Sequence, residues 1–347
     1  MTNDMTKGSP IKLILSFMVP LLIGNIFQQF YNMADTIIVG RTISVEALAA
    51  VGATGSISFL IVGFVQGVTS GFAVITAQRF GAGSENGVRR SVATSIILGI
   101  AVTIVMTAIS VLAARPLLEI MKTPSDIIDD SYNYIIVIFE GIAAAVFFNL
   151  FSSILRSLGD SKTPLVFLII ASIINIILDF VFILTFKMGV AGAGWATVIA
   201  QFISGILCFV YSLKKFPILR LTKHDWKFSW KFAWQHLEVG LPMAFQFSIT
   251  AIGTMVIQSA LNSLGSTAVA AFTAGSKIDQ FATQPLASLG VAVATYTAQN
   301  YGARELERIK KGVTGAAIIA TVCGIVGGFV VITFAKPLVA LFVGKIG

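Results

Sequence analysis

Thr76-Ala-Gln-Arg-Phe-Gly-Ala82 returns 221 residues later as Thr297-Ala-Gln-Asn-Tyr-Gly-Ala303. The same offset carries Ala47-Leu-Ala-Ala50 onto Ala268-Val-Ala-Ala271, Arg89-Arg90 onto Lys310-Lys311, and Ala114-Arg-Pro-Leu117 onto Ala335-Lys-Pro-Leu338. Pro20 meets Pro242 after a one-residue slip. Similarity sustained over that distance marks a duplicated unit. Uncharged runs around these anchors cover residues 13 to 34, 47 to 78, 91 to 114, 188 to 213, 239 to 276, 280 to 303 and 312 to 335. About 20 apolar residues cross a bilayer as a helix, so each run is a candidate span.

Composition agrees. Hydrophobic residues make up 56% of the chain and charged residues 12%, with a mean hydropathy of +0.89. So few charges do not cover a water-soluble globule of this length, and the solvent is lipid. Allowing for polar interruptions, about nine transmembrane helices are expected, near 13–38, 46–77, 91–113, 132–156, 163–186, 189–213, 235–261, 267–297 and 312–334. The fold class is therefore all-α and integral to the membrane. The start before residue 13 carries Lys7 and Lys12, but the run after it is too long and polar for a signal peptide, so it reads as an uncleaved first helix.

Six helices per copy is an even number, so both copies enter the membrane in one direction as parallel repeats about an axis along its normal. The expected division is an N-lobe at 1–213, a basic cytoplasmic linker at 214–234 and a partial C-lobe at 235–347. By the same offset a full second copy would reach about residue 435, so nine helices of a twelve-helix plan are expected, and the 347 residues alone are not expected to transport. The net charge of +8 does not imply nucleic acid, because the basic residues cluster between apolar runs. With a cytoplasmic N-terminus, the outside segments hold only Arg41, Arg115, Lys122, Lys187, Lys336 and Lys345, which obeys the positive-inside bias. Cys208 and Cys323 lie far apart in apolar runs and imply neither a disulfide nor a metal. An enzyme is not indicated: His224 and His236 fall in or beside the linker, and no H-E-x-x-H, G-x-S-x-G or P-loop pattern is present.

Helix 1 carries Asn25, Gln28, Gln29, Asn32 and Asp35 along one face, and helix 7 carries Gln246, Thr250, Thr254, Gln258 and Asn262 at four-residue spacing. Stripes of this kind face protein or water, either as interhelical glue or as the walls of a central cavity between lobes. Carboxylates in membrane helices are costly and need a reason. Asn175 and Asp179 lie one turn apart on helix 5, and if helices 1 and 5 share a bundle they join Asp35 as a site for a shared proton or a small cation such as Na⁺. The plainer alternative makes Asp35 interfacial near Arg41 and pairs Asp179 with Lys187. Glu140, among Phe139, Gly141 and the following alanines, either lines the same cavity or caps a polar pocket. Lys277 and Asp279, two apart on helix 8, point to different faces and are cavity candidates satisfied by neighbouring helices. Gly63, Gly67 and Gly71 form a small-residue ridge for close packing, and Pro20 and Pro285 are candidate kinks.

These residues resemble the MATE multidrug exporters of the MOP superfamily, in their DinF-like bacterial branch. The resemblance rests on Pro20 followed by Gln28-Gln-Phe-Tyr-Asn-Met-Ala-Asp35, on Leu155-Arg-Ser-Leu-Gly-Asp-Ser-Lys-Thr-Pro164, on Asn175-Ile-Ile-Leu-Asp179, on Gly189-Val-Ala-Gly-Ala-Gly-Trp-Ala-Thr197 and on the stretch ending at Ala303. It implies two six-helix lobes in a V around a cavity, without cofactors, acting as a monomer in the bacterial cytoplasmic membrane. It further implies antiport of cationic or lipophilic drugs against H⁺ or Na⁺. It places the coupling site at Asp35, Asn175, Asp179 and Thr197, with Tyr134 beside them, and bends helix 1 near Pro20. Unlike another branch of the family, helix 7 offers Thr250 and polar neighbours rather than an acid, which argues against a second carboxylate site in the C-lobe. The main alternative is a flippase of lipids or lipid-linked glycans from the same superfamily, whose cavity would be basic to hold phosphate, whereas the buried N-lobe charges here are acidic. A membrane scaffold without transport would not need the buried aspartates.

Overall fold

A computed structural model describes residues 4–262 and 266–334, excluding the side chains of Gln258, Ser259, Asn262, residues 266–271, Thr273, Ala274 and Lys277. In chain order the helices are α1 (Pro10–Thr42), α2 (Val45–Ala53), α3 (Gly55–Gly81), α4 (Glu85–Ile120), α5 (Ile128–Glu140), α6 (Ile142–Ser157), α7 (Lys162–Phe180), α8 (Gly189–Lys215), α9 (Trp230–Asn262), α10 (Ser266–Gly302) and α11 (Leu306–Thr333). A π turn, Val181–Thr185, extends α7. Among the described residues seven helices are long and apolar enough to cross a membrane, and α5 with α6, bent by 48°, make an eighth. The ninth expected span is α10, whose Lys277, Asp279, Gln280 and Gln284 make it the most polar of the long helices.

Two expected single helices are broken, each for a local reason. The helix at 46–77 divides at Thr54. There the Thr54 N–H turns to the Val51 carbonyl, and the carbonyl of Ala50 accepts instead from Ser131 Oγ of α5 at 3.0 Å. The helix at 132–156 bends at Gly141, where α8 presses so close that an added Cβ would stand 2.2 Å from Val198. Ser44 and Ser84 cap α2 and α4 by accepting from Ala47 N–H and Gly87 N–H.

Helices α1 to α8 form one bundle, and α9 to α11 pack on its α1 and α3 side, with α3 against α9 the most extensive pairing. The glycine ridge makes that pairing possible. A Cβ on Gly67 would lie 2.6 Å from the Ala244 Cα, and one on Gly71 would lie 2.4 Å from the Gly240 Cα. At the end carrying the basic clusters, α3 and α10 cross through the repeated motif itself. A Cβ on Gly81 would stand 1.8 Å from the Gln299 carbonyl oxygen, and one on Gly302 would stand 1.8 Å from the Gln78 carbonyl oxygen. Gly81 and Gly302, like Gln78 and Gln299, are 221 residues apart, so the crossing obeys the repeat's two-fold relation. The turns after it agree: Gly83 and Arg304, again 221 apart, both take positive φ, at +67° and +61°.

Polar groups reinforce this end. His236, fully buried on α9, donates from Nδ1 to the Phe232 carbonyl and so accepts at Nε2 from Ser91 Oγ at 2.9 Å, and Ser91 in turn accepts from Thr76. In the second copy Gly312 replaces Ser91, which leaves Thr297 Oγ1 buried without a hydrogen-bond partner. The fully buried Gln299 accepts from the Met5 N–H and donates to the Ser157 carbonyl, tying the N-terminal segment, α10 and α6 together. Arg308 holds the same segment through the Met5 and Gly8 carbonyls.

The basic linker is docked by Asp225. Burial pushes its carboxyl up, but hydrogen bonds from the Thr222 N–H and hydroxyl, both 2.7 Å, and the Arg89 guanidinium at 3.6 Å outweigh this and hold it below the usual carboxylate range. A depressed value in the folded protein means that the tether is complete above the unfolded value of about 3.9 and is lost as pH falls through the folded value. Asp225→Asn is therefore expected to raise the rate of tryptic cleavage after Lys223 and Lys227 at neutral pH about fivefold, equivalent to ~1 kcal/mol of local stability. An unchanged rate would show that the linker is held by other contacts.

Candidate coupling site and cavity

Asp35 follows Tyr31 by one turn on α1, and Asn175 precedes Asp179 by one turn on α7. Packing of α1 against α7 and α8 brings them together with Thr197. Asp35 is 7% exposed, and Asn175 and Asp179 are fully buried. Thr197 Oγ1 accepts from Asn175 Nδ2 at 3.3 Å and lies 3.4 Å from Tyr31 Oη. The Asp35 and Asp179 carboxyl groups face each other within hydrogen-bonding reach, and Tyr134 of α5 lies close enough to feel both charges.

Asp35 Oδ1, both Asp179 oxygens and Asn175 Oδ1 are buried without a hydrogen-bond partner. Among the described residues no lysine or arginine forms an ion pair with either aspartate. Lys187 and Arg41, the partners of the plainer alternative, are exposed. Two adjacent carboxylates and an amide oxygen with nothing to accept from are a costly arrangement that a proton or a small hard cation would satisfy. The π turn begins two residues after Asp179, a local widening common at functional sites.

Below this cluster, toward the basic end, the N-lobe encloses a cavity of about 140 Å³. Pro20, Asn25, Gln28 and Tyr31 of α1, Gln66 of α3, and Asn149 and Arg156 of α6 line it. Tyr31 belongs both to the cavity wall and to the hydrogen-bond cluster beside the aspartates. Neither Tyr31 nor Arg156 had been given a role from the sequence. Tyr31 is recognisable by its four-residue spacing from Asp35, while Arg156 sits at a helix end, where a basic residue is ordinary.

The other cavity candidates lie elsewhere. Gln29 is half-buried and Asn32 exposed, and neither lines the cavity. Glu140 is exposed and does not line the cavity. On α9, Gln246 and Thr250 are exposed, with Thr250 Oγ1 bonded back to the Gln246 carbonyl at 2.9 Å. Asp279 is exposed. The expectations for Gln258 and Lys277 fall on side chains outside the described residues. The cavity is thus built within one lobe rather than between two facing stripes, and α1 reaches the second lobe through Asn25 Nδ2, which donates to Ser288 Oγ of α10 at 3.0 Å.

The MatE family profile matches residues 20–181 and matches again over 242–346. The chain belongs to the MatE family. The two matches start at Pro20 and Pro242, the pair that the internal repeat aligns. This MatE chain is 28% identical over 348 residues to the probable multidrug resistance protein YoeA of Bacillus subtilis, covering 98% of the chain and 75% of that protein. It is 24% identical to a FAD transporter of Shewanella oneidensis, over 96% of the chain and 75% of that protein. Its fold matches an outward-facing multidrug resistance MATE transporter with a TM-score of 0.90 at 27% identity, over 98% of the chain and 76% of that structure. It also matches a MOP superfamily transporter from Pyrococcus furiosus, described as having a binding pocket of reversed polarity, with a TM-score of 0.91 at 27% identity over 99% and 76% of the two chains. The MatE chain is a multi-pass, all-helical membrane transporter of the multidrug efflux kind.

Proposed function

We propose that this MatE chain exports small molecules by antiport, with H⁺ or Na⁺ entering at Asp35 and Asp179 as the driving ion. The observation that carries this is the buried, mutually facing carboxylate pair with its unpartnered oxygens. A cation arriving there removes the repulsion between the two charges and recruits Asn175 Oδ1, which draws α1 toward α7. Through Tyr31 and Thr197 that movement reaches the cavity wall, so that ion entry and substrate release become alternatives. Pro20 supplies the hinge, because proline leaves the Ser16 carbonyl without its helical donor. The basic end faces the cytoplasm, the N-terminus with it, in the bacterial cytoplasmic membrane, following the positive-inside bias. The lobes at 1–213 and 235–347, joined by the linker at 214–234, work as a monomer.

Lipophilic cations are among the expected drugs, drawn to the aspartate end of the lobe, where they compete with the driving ion. A second reading, a flippase or carrier of anionic molecules, is favoured by Arg156 in the cavity wall and by the likeness to a FAD transporter. The test is efflux of ethidium from loaded cells under an imposed proton or sodium gradient. Gradient-driven efflux that falls about tenfold or more in Asp35→Asn is the expected result. Efflux that ignores both gradients would remove the antiport reading.

A further inference from the structure

Among the described residues that line the cavity, the only charged one is a cation. Arg156 sits in the last turn of α6, and its guanidinium makes one side-chain hydrogen bond, from Nη2 to Ser153 Oγ at 2.8 Å. A guanidinium has five N–H donors, so most of its donor capacity is uncommitted. No carboxylate forms an ion pair with it among the described residues. The nearest acid in sequence, Asp160, is already engaged as an acceptor from the Lys162 and Thr163 N–H groups and the Thr163 hydroxyl. Nor is Arg156 needed to cap its own helix. The Ile154, Leu155 and Arg156 carbonyls already accept from the N–H groups of Leu158, Asp160 and Gly159.

The wall that holds this cation also presents neutral hydrogen-bonding groups, Ser152 and Asn149 on its own helix, Ser161, and Gln201 and Ser204 on α8, together with the Phe148 ring. The wall reaches the aspartate cluster at Tyr31, but Arg156 lies at the other end of the lobe: it ends α6 just before α7 begins at Lys162, and Asp179 is 17 residues along α7, about 25 Å further on. The lobe therefore separates its charges, anionic groups for the ion and a cation for what occupies the cavity. We infer that this cavity binds the acid group of an organic anion, a carboxylate or phosphate held by Arg156, with the molecule's aromatic or polar body extending along the wall toward Phe148. At about 140 Å³ it is smaller than the roughly 300 Å³ of drug-sized pockets, which suits an acid head group with part of its body. The inference rests on the transport reading for its consequence, export of anions, but not for the binding itself.

The test measures binding and transport separately. The full chain is placed in phosphatidylcholine nanodiscs, and fluorescein, an aromatic carboxylate, and ethidium, a cation, are titrated by fluorescence anisotropy against the native protein, Arg156→Gln, Arg156→Lys and Asp35→Asn. Fluorescein affinity is expected to fall about tenfold or more in Arg156→Gln and by less in Arg156→Lys, which keeps the charge but not the planar fork. Ethidium binding is expected to stay within about twofold in both, which also shows that they fold. Phenyl phosphate and dioctanoyl phosphatidic acid then compete for the fluorescein: displacement by both assigns the site to soluble acids and lipid head groups alike, and displacement by phenyl phosphate alone assigns it to soluble acids. Absence of saturable fluorescein binding, equal binding by Arg156→Gln, or ethidium lost in step would overturn the inference. Should Asp35→Asn retain gradient-driven efflux while Arg156→Gln still loses fluorescein, the antiport reading fails and the anion site stands.

Discussion

Gly81→Ala and Gly302→Ala will each prevent the lobes from closing at the basic end and reduce transport by tenfold or more. The methyl group at either position would stand 1.8 Å from a backbone carbonyl oxygen of the opposite helix, at Gln299 or at Gln78. Backbone atoms cannot swing aside as a flexible side chain does, so α3 and α10 must separate. Overpacking of this kind costs about 1 to 3 kcal/mol, enough to shift a conformational equilibrium by roughly one to two powers of ten. The two variants should be equivalent, because one two-fold relation generates both contacts. Spin labels on the basic-end turns after α3 and α10 provide the check. Distances longer than in the parent protein in both variants are expected, and an unchanged distribution with full transport would show that this crossing does not set the closed state. Gly52 serves as a control, since a Cβ there would meet nothing within 4 Å.

Asp35→Asn, Asp179→Asn and the double variant will lose coupled transport to the same floor. Asp35 Oδ1 and both Asp179 oxygens have no hydrogen-bond partner, and on the antiport proposal one cation occupies both carboxylates, which would make them a unit. Groups that act as a unit are strongly non-additive: each single change should cost about as much as both. Additive losses would indicate two independent ion sites.

Much of this was legible in the sequence because duplication and hydropathy are long-range patterns that survive local irregularity. The 221-residue offset located a crossing that the structure builds from the same glycines, and the one-turn spacing of Asn175 and Asp179 put them on one face of α7. What was not legible depended on neighbours in space. The break at Thr54 follows from Ser131 taking the Ala50 carbonyl, and the bend at Gly141 from the approach of Val198, and neither partner is close in sequence. Polar stripes are ambiguous in a different way. Stripe periodicity says that a face avoids lipid but not which face it meets, so the α9 stripe, whose Thr250 bonds back to its own helix, is compatible with either an open cleft or interhelical packing. Arg156 was hidden by its position at a helix end, where basic residues are ordinary. Only the commitment of Asp160 and of the last-turn carbonyls to other donors reveals that no carboxylate pairs with it among the described residues.

The most direct test of ion coupling at Asp35 and Asp179 is ion release on substrate binding. Purified protein in weakly buffered detergent solution, preloaded with radiolabelled Na⁺ or equilibrated near neutral pH with a pH-sensitive dye, is mixed with a transported drug. Release of H⁺ or of Na⁺ that saturates with the drug, and disappears in Asp179→Asn while drug binding persists, is the expected result. Drug binding with no release of either ion, or release undiminished in Asp179→Asn, would contradict the assignment of this pair as the coupling site.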